Sequence, residues 1–268
     1  MKTKVRNFVK ENRYLKWIPN SLTLCNSLCG FIAVVYTLTV YEKTGNPMAV
    51  FAASAWIILF AMVFDALDGL AARFFNAASM HGIQMDSLAD MVTFGMAPAV
   101  LSVILTHSLC PDMTRWQNFM TYSLSGVYLG GAALRLATYN VHAMVEHKSS
   151  DKFSGLPSPG GAAALCSIIL FFKEFSWPQA HLMFIMPFYA AILGLLMVSN
   201  IPYPHVGKWI FSIRRNRKRL LCFMAMIIAV AVSPVISVVA LVNGYIVGVP
   251  VLVLGTWIFK HVTKQQEQ

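Results

Sequence analysis

The chain has 268 residues, of which 57% are hydrophobic and only 12% charged, and its mean hydropathy is +0.61. A water-soluble domain carries roughly 25% charged residues, so about half of the usual polar coating is missing and a soluble globular fold is excluded. Lys and Arg outnumber Asp and Glu by 21 to 11, yet the apolar runs leave no polar surface along which a nucleic acid could lie, so the basic excess is read as membrane topology and lipid contact.

The basic start, MKTKVRNFVKENRYLKW, is not followed by a short cleavable apolar stretch, and the first apolar run is expected to be a retained helix rather than a signal peptide. Crossing a bilayer takes about 20 apolar residues. Runs of that kind place spans at 21–41, 48–68, 86–107, 118–141, 160–175, 181–199, 220–242 and 244–260. Only Asn243 and Gly244 divide the last two, and Pro234 and Pro250 add expected kinks, so seven spans is the alternative. The expected fold is all-α: a polytopic transmembrane helical bundle of about eight spans, in one domain covering 1–268, without internal repeats.

With eight spans and the N-terminus inside, the cytoplasmic loops carry Lys2, Lys4, Arg6, Lys10, Arg13, Lys16, Arg73, Lys148 and Lys152. They also carry Lys208, Arg214, Arg215, Arg217, Lys218, Arg219, Lys260 and Lys264, against Lys43, Arg115 and Lys173 on the other side. This asymmetry follows the positive-inside rule, favours the even count and puts both termini in the cytoplasm. The five cysteines form no C-x-x-C pair, and four of them lie in apolar runs, so neither a disulfide framework nor a zinc site is expected. The seven histidines include no i,i+4 pair and are read as interfacial polar groups.

Four of the six aspartates fall in one stretch, DALDGLAARFFNAASMHGIQMDSLAD. Asp65 and Asp68 close span two at i,i+3 spacing, and Asp86 and Asp90 open span three at i,i+4, so each pair shares a helix face. Gly69 and Gly82 flank them, and a missing side chain lets a phosphate approach closely; Arg73 lies one turn beyond Gly69. Four carboxylates on adjacent helix ends repel one another unless cations or protons intervene. Hard divalent ions with oxygen ligands resolve this, and magnesium characteristically shares its ligands with phosphates, which points to a one- or two-metal centre for pyrophosphate chemistry. The competing reading, helix caps at a membrane interface, suits one such aspartate better than four. A cation channel or transporter would place its charges near the bilayer midplane rather than at one surface.

The stretch resembles, at every fixed position, the D-x2-D-G-x2-A-R-x8-G-x3-D-x3-D signature of the CDP-alcohol phosphotransferases, through Asp65, Asp68, Gly69, Ala72, Arg73, Gly82, Asp86 and Asp90. That family resemblance implies a six-helix catalytic core, a homodimer, and an intramembrane enzyme that moves a substituted phosphoryl group from a CDP-linked donor to an alcohol, releasing CMP. Further segments are similar to the bacterial membrane-type, serine-accepting branch: PNSLTLCNSLCGF at 19–31, DSLADMVTFGMAPA at 86–99, RLATYNV at 135–141, FSGLPSPGGAAAL at 153–165 and LMVSNIPYP at 196–204. They outline a family core over 19–204, preceded by the cytoplasmic basic segment 1–18 and followed by a basic loop and the last two spans, 205–268. Where this branch commonly shows Arg-Phe before the Asn, this chain has Thr138 and Tyr139.

The resemblance implies that Asp65, Asp68 and Asp86 hold two Mg2+ or Mn2+ ions, with Asp90 completing the site as general base. It assigns Asp65, Asp68, Gly69, Arg73 and Gly82 to the CDP moiety. The implied reaction joins the phosphatidyl group of CDP-diacylglycerol to L-serine at the cytoplasmic face of the inner membrane; glycerol 3-phosphate, inositol phosphate and choline are the alternative acceptors. A zwitterionic acceptor needs a cation for its carboxylate, and Arg135 is the basic residue placed well inside a span. Asn140, five residues on, is its candidate companion. The Gly155–Pro159 turn is expected near the headgroup, and the Arg214–Arg219 cluster is read as a topology determinant that can also attract anionic lipid.

Overall fold

A computed structural model describes residues 17–42, 45–75, 79–145, 155–176, 178–203, 224, 226 and 228–266. The described residues are helical and contain no strand: α1 is Trp17–Leu38, α2 Pro47–Phe74, α3 Met80–Asp90, α4 Ala97–Leu109, α5 Arg115–Val145, α6 Ser158–Glu174, α7 Gln179–Val198 and α8 Pro234–Gln266. A 3-10 turn, Thr39–Tyr41, extends α1, and a π-helical segment, Met91–Met96, joins α3 to α4. Among the described residues, five stretches are long and apolar enough to cross a membrane, namely Trp17–Tyr41, Pro47–Phe74, Met80–Leu109, His181–Val198 and Pro234–Val253. The chain is therefore an all-α, multi-pass membrane bundle.

Local signals set the helix starts. At α2, Asn46 accepts from the Met48 amide at 2.9 Å and Pro47 occupies the first position, where its missing N–H costs nothing. At α3, Ser79 accepts from the Gly82 amide at 3.0 Å. The bundle then packs by the logic of a lipid solvent, in which small and polar residues turn inward and large apolar ones outward. Helix α1 buries Pro19, Thr23, Asn26, Gly30, Ala33 and Thr37, alternating steps of four and three. Its Leu24, Leu28, Phe31 and Val35 are exposed on the other side.

Helix α6 is the central element, with the run Gly161 to Ser167 buried without interruption. Helices α5 and α7 touch through glycine: a Cβ on Gly131 would collide with the Gly194 carbonyl oxygen, and one on Gly194 would lie 2.6 Å from the Tyr128 Cα. The turn before α6 is held by backbone. Gly155 donates to the Ile201 carbonyl at 2.9 Å and Leu156 to that of Leu196 at 3.0 Å. Gly155 has φ +93°, in the left-handed region where glycine carries no Cβ penalty.

The end of the chain departs from the expected division. The run 220–260 does not break at Asn243–Gly244; it breaks at Ser233, and α8 continues from Pro234 through both residues and through Pro250. Pro234 suits a helix start. Asn243 is no loop residue: its Nδ2 donates to Ser167 Oγ at 3.0 Å and to the Val239 carbonyl at 2.9 Å, while its Oδ1 accepts from Tyr189 Oη at 2.5 Å. A polar residue that satisfies itself between helices has no need of water. The N-terminal basic segment, Lys148, Lys152 and the Arg214–Arg219 cluster lie outside the described residues.

Candidate active site

Helices α2 and α3 both pack against α1, and the motif's aspartates come together beside it. Oxygens of Asp65, Asp68 and Asp86 all lie within 4.8 Å of one another. Asp90 stands one helical turn beyond Asp86, is 9% exposed, and lies within hydrogen-bonding reach of Asp65. Asp68 is 5% exposed. So compact a set of carboxylates, away from bulk water, is unfavourable unless positive charge is supplied.

The donor pattern says how it is supplied. Among the described residues, the buried Asp68 Oδ2, Asp86 Oδ1 and Asn26 Oδ1 have no hydrogen-bond partner. Orphaned acceptors of this kind are costly, and the carboxylate oxygens of Asp68 and Asp86, gathered with Asp65, are the ligand type that Mg2+ and Mn2+ prefer. The residues present therefore fit a divalent metal centre.

A cleft of about 120 Å³ opens beside the carboxylates, between Asn20 and Thr23 of α1, Asp68 and Gly69 of α2, and Gly82 and Asp86 of α3. Both glycines of the motif line it. Gly82 is the tighter of the two, since an added Cβ would meet Ser79 Oγ at 3.2 Å; at Gly69 the nearest atom is Arg73 Nη2 at 3.7 Å. Arg73 donates from Nε to the Gly69 carbonyl at 2.9 Å and leaves its guanidinium at the exposed end of α2. The cleft therefore offers acceptor oxygens on one wall and a cation at its rim, as a nucleotide pyrophosphate requires.

Arg135 reaches the same neighbourhood from α5. Its Nη1 donates to Ser158 Oγ at 3.0 Å, its buried Nε has no partner among the described residues, and the Asp90 carboxylate is near enough to act on its charge. Asn140 is drawn in as well, through its Oδ1, which accepts from Ser87 Oγ at 2.7 Å; Ser87 lies between Asp86 and Asp90 on α3. Thr138, on an exposed flank, donates back to the Leu134 carbonyl at 2.8 Å. His81 is exposed.

Asn26 and Ser158 were not singled out by the sequence reading. Asn26 donates from Nδ2 to Asp90 Oδ1 at 3.3 Å and is fully buried. A signal for it exists: Asn20, Thr23 and Asn26 form a polar stripe at i,i+3 spacing on an otherwise apolar span, where polar residues are expensive. Ser158, also fully buried, stands inside the proline-rich turn whose geometry drew attention before its hydroxyl did.

The comparisons with known proteins agree with this geometry. The model of the CDP-alcohol phosphatidyltransferase family matches residues 16–260. A CDP-diacylglycerol–serine O-phosphatidyltransferase of Helicobacter pylori is 26% identical over 233 residues, covering 85% of this chain and 87% of the relative. One of Bacillus subtilis is 31% identical over 198 residues, 72% of this chain and 93% of the relative. An archaetidylserine synthase of Methanothermobacter thermautotrophicus is 31% identical over 193 residues, 70% of each. With a match over nearly the whole bundle and the signature carboxylates gathered around one cleft, the chain belongs to the CDP-alcohol phosphatidyltransferase family.

Proposed function

We propose that the protein transfers the phosphatidyl group of CDP-diacylglycerol to the hydroxyl of L-serine, giving phosphatidylserine and CMP. The observation that carries the reaction type is the carboxylate cluster with its unpartnered oxygens beside the glycine-lined cleft. The choice of serine is supported by the names of the relatives and by Arg135, whose buried guanidinium suits a carboxylate-bearing acceptor.

Asp65, Asp68 and Asp86 would hold two Mg2+ or Mn2+ ions, which when bound neutralise the pyrophosphate and stabilise the departing CMP. Gly69 and Gly82 admit the CDP moiety, and Arg73 pairs with its phosphate. Asp90, one turn beyond Asp86 on α3, accepts the proton of the acceptor hydroxyl as that oxygen attacks the phosphorus bearing the diacylglycerol. Arg135 orients the acceptor carboxylate, with Ser158 fixing one edge of the guanidinium, and Asn140 braces α3 through Ser87. The whole chain acts as one catalytic domain in the inner membrane, with the site and both termini on the cytoplasmic side, and a second copy as its partner.

Membranes containing the purified protein, supplied with CDP-diacylglycerol and labelled serine, glycerol 3-phosphate, inositol phosphate and choline in turn, test the reading. Labelled phosphatidylserine with release of CMP is expected. A product from another alcohol alone would keep the reaction and replace the acceptor.

A further inference from the structure

We infer that Asn26 is a positioning residue that sets the orientation of the Asp90 carboxylate for proton transfer; the inference rests on the assignment of Asp90 as the base. Asn26 is fully buried in the middle of α1, on a helix that contributes no carboxylate to the cluster. Its side chain meets Asp90 directly, Nδ2 donating to Oδ1 at 3.3 Å. A carboxylate whose one oxygen is engaged by an amide donor presents the other in a defined direction, and general-base catalysis depends on that geometry before it depends on basicity.

Asn26 is itself clamped from behind. Its main-chain carbonyl accepts from Thr93 Oγ1 at 2.9 Å, and Thr93 is fully buried in the π-helical segment that follows Asp90. One turn along α1, a Cβ on Gly30 would lie 2.5 Å from Thr93 Oγ1 and 2.7 Å from the Thr93 Cα, so α1 and the π-segment touch at backbone distance. The other face of that segment is held by Tyr128, fully buried, whose Oη donates to the Phe94 carbonyl at 2.7 Å. Side chain and main chain of one residue thus tie both Asp90 and the turn after it to α1. An ordinary lipid-span asparagine needs only one interhelical partner to justify its burial; this one spans the base and its support.

The test measures turnover of CDP-diacylglycerol with L-serine, alongside the donor KM and the thermal stability of the detergent-solubilised protein, in Asn26→Leu, Asp90→Asn and the double variant. Asn26→Leu keeps the size and removes the donor. Its kcat should fall roughly 10–100-fold, the range for losing a hydrogen bond to a charged group, while the donor KM stays within about twofold. In the Asp90→Asn background the same substitution should cost nothing further, because a residue acting through Asp90 has nothing left to position. Unchanged kcat in Asn26→Leu, or losses that multiply in the double variant, would overturn the inference while leaving Asp90 as base. Full turnover in Asp90→Asn would instead remove the base assignment, and the inference with it. Should Asn26→Leu reduce the folded fraction, Thr93→Val reads the same coupling from the main-chain side, with a smaller loss of kcat expected and none in the Asp90→Asn background.

Discussion

Helices α2 and α8 are equally apolar as spans, but 44% of the apolar stretch is buried in α2 and 11% in α8. One carries Asp65 and Asp68 into the heart of the bundle; the other leans on it. Hydropathy reports that the surroundings are lipid, and it says nothing about which helix builds the interior. That information lies in the small and polar residues. Helix α2 buries Ala52, Ser54, Ala55 and Ala61 along with Asp68, whereas Gly244, Gly248 and Gly255 of α8 have open space where a Cβ would go. In a membrane, glycine marks a close contact only where a neighbour is present to use it.

The comparison breaks most sharply at the metal centre. Chelation should abolish activity, and Mg2+ or Mn2+ should restore it. Asp65→Asn should cost on the order of 10³-fold with weakened donor binding, since Lewis-acid stabilisation is worth several kcal/mol. Full turnover in a rigorously metal-free preparation would sink the two-metal reading. Asp90→Asn should instead retain donor binding while turnover drops about 10²–10⁴-fold, the range of a positioned general base. Comparable loss of donor affinity in both variants would make Asp90 a ligand first.

Arg135→Ala should raise the apparent constant for serine well above that for CDP-diacylglycerol, because only serine brings a free carboxylate; steady-state kinetics with each substrate varied reads this. Equal loss for both would mark Arg135 as a brace for Ser158.

Packing supplies the smaller effects. Gly131→Leu forces α5 from the Gly194 backbone and should destabilise the bundle by about 3 kcal/mol or more, whereas Gly248→Leu in α8 should stay within about 0.5 kcal/mol. Asn243→Leu, which unlinks α8 from Ser167 and Tyr189, belongs between them at about 0.6–1.7 kcal/mol. Denaturation in mixed micelles ranks the three. An Asn243→Leu variant as unstable as Gly131→Leu would show that α8 is integral to the core.

The carboxylates were legible because charge in an apolar chain is rare and their spacing is helical; Asp65, Asp68, Asp86 and Asp90 meet where that spacing directs them. Some span starts were legible to within a few residues, Pro47 against an expected 48 and Ser158 against 160, but α3 begins at Met80 rather than 86, because its cap, Ser79, precedes the apolar run that hydropathy marks. Asn243 misled because a lone asparagine reads as a loop until its interhelical partners are known. Asn26 escaped notice for a related reason: its meaning depends on Asp90, 64 residues away. The exposure of Thr138 is likewise a matter of helix phase, which a motif written as a string does not contain.

Phase matters for the carboxylates too, and that of Asp86 and Asp90 relative to α4 is set by the six residues Met91–Met96. A π-turn is an α-turn with one residue too many, so deleting a residue such as Val92 would let α3 and α4 fuse into an unbroken α-helix. The repair would also rotate everything before it by about 100° relative to α4, since each α-helical residue turns the chain by that much. Asp86 and Asp90 would then leave the cluster, although length, composition and hydropathy would barely change. The surplus residue acts as a molecular offset: a locally imperfect helix keeps two carboxylates in step with a neighbouring helix, and a shortening that perfects the local geometry would dismantle the site.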